Sequence, residues 1–190
     1  MVKDNFFEDE DYKIPTTSNY FKFVEGDNTF RVLSSAIVGW EYWTKDNKPV
    51  RRKETWSEVP DDIKEEKDGS VRINHFWAFV VWNYDAKSVQ ILELTQKGIM
   101  KYIQGLTKNA KWGNPKGYDI TVNRTGSGLD TEYTCMANPH SELDTDIIEI
   151  AKKKYVNLNA LYSGADPFQR PKDERVSEED QELTASDVGF

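Results

Sequence analysis

The chain has 190 residues, which suits one domain with extensions and is long enough to bury an ordinary core. Hydrophobic residues make up only 37%, aromatics reach 13%, and the net charge of −8 argues, for the chain taken whole, against the basic surface usual in phosphate-binding domains. The single cysteine, Cys135, excludes an intramolecular disulfide and points to a reducing compartment.

The N-terminal stretch, residues 1–12, holds five acids and one base and reads as an acidic extension. It has no apolar signal-peptide core, and no run approaches a membrane span, so a soluble cytoplasmic protein is expected. Residues 172–190 hold seven acids and two bases, which leaves residues 13–171 close to neutral. The acidity therefore belongs to the ends and says little about the surface between them.

"TFRVLSSAIVGWEYW" (29–43) is rich in β-branched and aromatic residues and predicts a strand, with a bulge or bend at Gly39. Residues 44–70 are polar and turn-rich, a long loop with a short strand near Val50. "VRINHFWAFVVWNY" (71–84) is a second strand, turned by "DAK" into "SVQILEL" (88–94) as a hairpin. Over 95–109 the period becomes helical through Ile99, Tyr102, Ile103 and Leu106, with Thr95 placed to cap. Residues 117–125 and 130–137 read as two more strands around "GSG", and 142–155 as an amphipathic helix with acids early and lysines late. After it, 172–190 has the composition of a disordered acidic tail.

Five strands with a helix between the third and fourth is the order of the OB-fold, a small Greek-key barrel. The expected architecture is mainly β: an OB-fold domain over 13–140, a C-terminal helix and linker over 141–171, and the tail. The loops that flank the usual binding face of that fold are here 44–70 and 125–129.

Catalysis finds little support. The two histidines, His75 and His140, and the lone cysteine have no zinc-type spacing, and no phosphate-loop or dinucleotide glycine motif occurs. The expectation is a non-enzyme without metal or cofactor.

The pattern that carries chemistry is Trp40, Tyr42, Trp43, Lys45, Lys48, Arg51, Arg52, Lys53 and Trp56. Aromatic planes interleaved with cations suit single-stranded nucleic acid, because rings stack on bases while cations follow phosphates. A solvated basic loop whose tryptophans fold back onto the core is the competing explanation. Along 75–84, alternation puts Phe76, Ala78, Val80, Trp82 and Tyr84 on one face and His75, Trp77, Phe79, Val81 and Asn83 on the other. The second face is polar at both ends, so Trp77 and Phe79 are stacking candidates and Val80 and Trp82 core. Lys111, Trp112, Lys116 and Arg124 form a weaker second group.

With these motifs in view, the chain resembles the single-stranded DNA-binding proteins of tailed bacteriophages and prophages. The resemblance spans about Pro15 to Ala137 and rests on "NYFKFVEGDNTFRVLS", "GWEYW" followed by "KPVRRKE", "HFWAFVVWNYDAKSVQILELTQKGI" and "WGNPKGYDITVNRTGSGLDTEYT". It implies an OB-fold core that coats single-stranded DNA during replication or recombination in a bacterial host cytoplasm, with no catalytic residue and no cofactor. "SEEDQELTASDVGF" resembles the acidic tails of bacterial single-stranded DNA-binding proteins, although Gly189 stands where proline is usual. That likeness implies docking of replication or recombination proteins at Asp187, Val188 and Phe190. A carbohydrate-binding β module and a structural or assembly protein are the rival readings, and homo-oligomerisation is left open.

Overall fold

The computed structural model describes residues 18–170. The acidic extension (1–12) and the tail (172–190), including Asp187, Val188 and Phe190, lie outside the described residues. The architecture is mainly β. Seven strands, β1 (Gly26–Val32), β2 (Ile37–Trp43), β3 (Pro49–Arg52), β4 (Asn74–Asn83), β5 (Ser88–Leu94), β6 (Tyr118–Thr125) and β7 (Glu132–His140), form one sheet. Three helices accompany it: α1 (Lys97–Lys108), α2 (Thr145–Lys153) and α3 (Ala160–Ser163). Strand order is β3-β2-β4-β1-β6-β7, with β5 also on β4, and all pairings are antiparallel. A closed barrel of five strands is not what the ladders describe, because β5 and β7 do not pair among the described residues.

The single strand predicted over 29–43 is two strands, and the break is not at Gly39. Val32 pairs with Val81 and Ile37 with Ala78, so residues 33–36 lie opposite only residues 79–80. This bulge bends the wall of the sheet. Its backbone groups are recovered locally: Leu33 N–H donates to the Val80 carbonyl at 2.9 Å, and Val80 N–H donates to the Ser34 hydroxyl oxygen at 2.9 Å. Gly39 lies inside β2, where a side chain would collide with the Arg52 carbonyl oxygen and reach 3.1 Å from the Phe76 ring. Its glycine marks a close approach of β3.

β4 is long and apolar because it is central and packed on both sides. Phe79 and Val81 point into the main core, built from β1, β5, β6 and the buried stripe Ile99, Met100, Ile103 and Leu106 of α1. Phe76 and Ala78 point the other way, into a second cluster with Ile91 and Leu161. Trp82 packs with Val89 and Ile147 in a third, where Val80 is only partly buried. Trp82 is thus core as predicted, whereas Val80 is half-covered. Thr95 does not cap α1; Gln96 holds that position, without a side-chain capping bond. Among the described residues no helix is long and apolar enough to cross a membrane.

Buried Arg31 ties β1 to β6 and to the segment after β7. Arg31 donates from Nε to Asp119 at 2.6 Å and from its terminal nitrogens to the Ser141 carbonyl and hydroxyl oxygens at 3.0 and 2.7 Å. Asp119 also accepts the Tyr84 hydroxyl at 2.9 Å. Burial, and then that bond, pushes the tyrosine up to about 12.

Candidate functional site

Strand register decides which of the predicted residues can act together, since directly paired residues share a face. Trp40 pairs with Arg52 on one side and His75 on the other, and Val38 pairs with Trp77. Val38, Trp40, Arg52, His75 and Trp77 therefore occupy one face of the β3–β2–β4 platform. There Trp40 and His75 stand with ring centroids 5.0 Å apart, and Trp77 Nε1–H donates to His75 Nε2 at 3.2 Å. That bond requires the neutral His75 tautomer with its proton on Nδ1, which is buried without a partner among the described residues. Trp40, His75 and Trp77 are all half-buried, and Val38 is exposed, so the row presents ring surface to solvent. Sequence alternation puts His75 at the polar end of the Trp77 face and not among the contacts; its register partner Trp40 is what places it in the row.

Arg52 sits at one end of the row. Its guanidinium lies 4.2 Å from the Trp56 ring centroid and donates to the Glu54 and Thr55 carbonyls at 2.8 and 2.7 Å. Trp56 in turn meets Tyr42 edge-on at 4.9 Å. Trp56 therefore serves as the platform that fixes a cation, with one ring face already covered.

At the other end the row runs into a groove of about 270 Å³. Its walls are Trp77 and Phe79 of β4, the bulge residues Ser34 to Ala36, Ile103 and Thr107 of α1, and Asn114 to Lys116. The bulge residues supply one part of this lining and α1 another. Asn114 anchors the far lip by accepting the Lys116 N–H at 3.1 Å.

Several predicted contacts are placed elsewhere. Tyr42 is 5% exposed, and its hydroxyl donates to Asp62 at 2.8 Å, so it supports the loop and cannot stack on a ligand. Arg51 is buried on the opposite face, between Glu41 at 3.0 Å and Glu93 at 2.7 Å, and has no access to a polyanion. Phe79 is 3% exposed and belongs to the core, touching the groove only as its floor. Trp43 is exposed, but three residues from Trp40 in a regular strand it faces away from the row. Lys45 donates to the Asp61 carbonyl at 2.8 Å, Lys48 is exposed at the β2–β3 turn, and Lys53 lies 5.7 Å from the Tyr162 ring centroid, toward the covered face.

The second group does not assemble. Trp112 is stacked on His140 with centroids 5.6 Å apart and meets Tyr118 edge-on, so it is a packed ring. Lys111 is exposed beside it, while Arg124 donates to the Phe23 carbonyl at 3.3 Å and tethers the segment before β1. Only Lys116 of this group reaches the row, through the groove. Among the described residues no cluster of three or more His, Cys, Asp or Glu could hold a metal ion.

Compared with known proteins, the chain matches no family model, no curated protein and no solved structure.

Proposed function

We propose that the chain binds single-stranded DNA, with little regard to sequence, on the face that carries Trp40, His75 and Trp77, coating it during replication or recombination without catalysing a reaction. The observation that carries this reading is the row itself: three rings side by side on one sheet face, with a fixed arginine at one end and a groove lined partly by Lys116 at the other. Bases stack on ring faces whatever their identity, and cations meet the phosphates between them. The near-neutral residues 13–171 leave such a face unopposed by bulk charge. The motif resemblance over Pro15 to Ala137 supports the same reading.

The finer fold reading goes with it. Counting β1 and β2 as one bent strand, the pairings β1–β4, β4–β5, β1–β6 and β6–β7, with α1 between β5 and β6, follow OB-fold connectivity. The β3 hairpin then lies within the first binding loop.

Intrinsic fluorescence titrated with oligo-dT and with duplex DNA tests the proposal. The single strand is expected to bind more tightly, since paired bases hide their faces. Trp40→Ala should cost about 1–3 kcal/mol of binding. Arg52→Ala should weaken binding and flatten the log–log salt slope by about 0.7, the share of one phosphate on a single strand. Equal affinity for duplex and single strand, or a Trp40→Ala chain that binds normally, would overturn it; preferential binding of an oligosaccharide would point to a sugar-stacking module.

A further inference from the structure

The groove beside Trp77 has a shape and chemistry of its own, distinct from the open row that leads to it. We infer that it receives one unstacked nucleobase of the bound strand, so that the strand is held in a fixed register on the protein; the inference rests on the single-stranded DNA reading above. Three observations carry it. At about 270 Å³ the groove falls just below the range that takes drug-sized ligands, which leaves room for one heterocycle. Its lining combines the flat indole of Trp77 with the apolar Phe79, Ile103 and Pro115, surfaces that suit a planar ring. Its rim is polar in the right places. Ser34 is committed to Val80 and Ser35 backbone groups, but the Ser35 hydroxyl and the Asn114 amide nitrogen make no hydrogen bond among the described residues. A hydroxyl both donates and accepts, and an amide nitrogen donates, so the edges of different bases can be met without selecting one.

The lining also argues for a base rather than a phosphate. Among the described residues Lys116 is the one cationic residue of its lining. A phosphate pushed into apolar walls would lose its hydration without compensation, whereas a base leaves its phosphates outside along the row. The strand would then run from Arg52 across Trp40 and His75, and turn one base in past Trp77.

The full chain and a short oligo-dT carrying one 2-aminopurine, moved position by position, test this. One position is expected to show a fluorescence change unlike its neighbours, and an abasic residue placed there should cut affinity about fivefold to a hundredfold, the share of one stacked base. Ala36→Phe and Thr107→Phe, both at exposed positions of the lining, one in the bulge and one in α1, fill the groove without disturbing the core. Each should reduce affinity by a similar factor, erase the position-specific signal, and lose nothing further on the abasic strand, while melting as the wild type does. A uniform 2-aminopurine signal, or two filled-groove variants that bind normally while Trp40→Ala still weakens binding, overturns the groove and leaves the row. Failure of every strand to bind overturns the row as well.

Discussion

Arg51 has two carboxylates and one guanidinium's worth of charge to share, in a place water scarcely reaches. Glu41 takes its Nε and Glu93 a terminal nitrogen, while the second Glu93 oxygen is buried without a partner. Burial, the largest cause, raises the Glu93 carboxyl above its ordinary 4.5, and nearby Glu41 raises it further against the pull of Arg51. A carboxyl raised in the folded state holds its proton more tightly there than in the unfolded chain. The contribution of Glu93 to stability is therefore greatest below 4.5 and falls as pH rises from that value through the raised one. Glu93→Gln, whose amide oxygen can still accept from Arg51, should remove this slope: melting temperature between pH 4.5 and 7 should decline less with pH than in the wild type. An identical slope in both chains would place the pH dependence elsewhere. The same residues show what sequence could and could not say about the site. Trp40, Arg52 and Trp77 were legible as types, rings and cations close together. Arg51 is one position from Arg52, and strand parity turns it to the opposite face; Tyr42 and Phe79 share the face of Trp40 and Trp77 and are set apart only by what covers them, Asp62 and Trp56 over Tyr42 and the main core over Phe79.

At the scale of elements, the site depends on how closely β3 lies against β2, and Gly39 sets that distance. The sequence signals for strands were strong enough to place β4, β5, β6 and β7 within a few residues, since runs such as "WAFVVW" and "SVQILEL" admit little else. The bend was misplaced because a glycine in a strand has two physical causes, a bulge or a close approach, and only the neighbouring chain distinguishes them. The bulge itself, "LSSA" at 33–36, needs no glycine: a serine hydroxyl takes over the ladder bond of Val80. Gly39→Ala should therefore act as an overpacking change, costing about 1–3 kcal/mol, because the atom it meets is the Arg52 backbone carbonyl and cannot rotate aside. Relief would come from opening the β2–β3 pairing, which also displaces Arg52 from Trp56. A lowered melting temperature together with weakened oligo-dT binding is the expected pair of results; an unchanged melting temperature would show that β3 yields freely.

Across the whole molecule, the hydrophobic contacts cross residue 140, where sequence composition drew the end of the β domain. Ile147 of α2 packs on Trp82 and Val89, and Leu161 of α3 packs on Phe76, Ala78 and Ile91, with Val156, Leu158, Tyr162 and Phe168 around it. Tyr162 also donates its hydroxyl to the Val38 carbonyl at 2.7 Å, and Ser141 supplies two of the oxygens that hold buried Arg31. Helical periodicity over 142–155 announced an apolar stripe but not its partner, since a strand buried on both sides and a strand with one open side look alike in a run of apolar residues. The consequence for function is directional. This segment covers the outer face of β4, and the platform of Trp40, His75 and Trp77 proposed to bind DNA lies on the other face. A chain ending after His140 should lose cooperative unfolding, because it bares Phe76, Ile91 and Trp82 and takes from Arg31 its two Ser141 oxygens at once. The gentler test is Leu161→Ala, a buried leucine 4% exposed on the opposite face of β4 from the row, which should cost about 2–5 kcal/mol of stability while oligo-dT affinity, measured well below the melting transition, stays as in the wild type. A Leu161→Ala chain that melts normally would mean the segment rests on the sheet without completing it, and one that melts normally but binds poorly would move the ligand to the outer face.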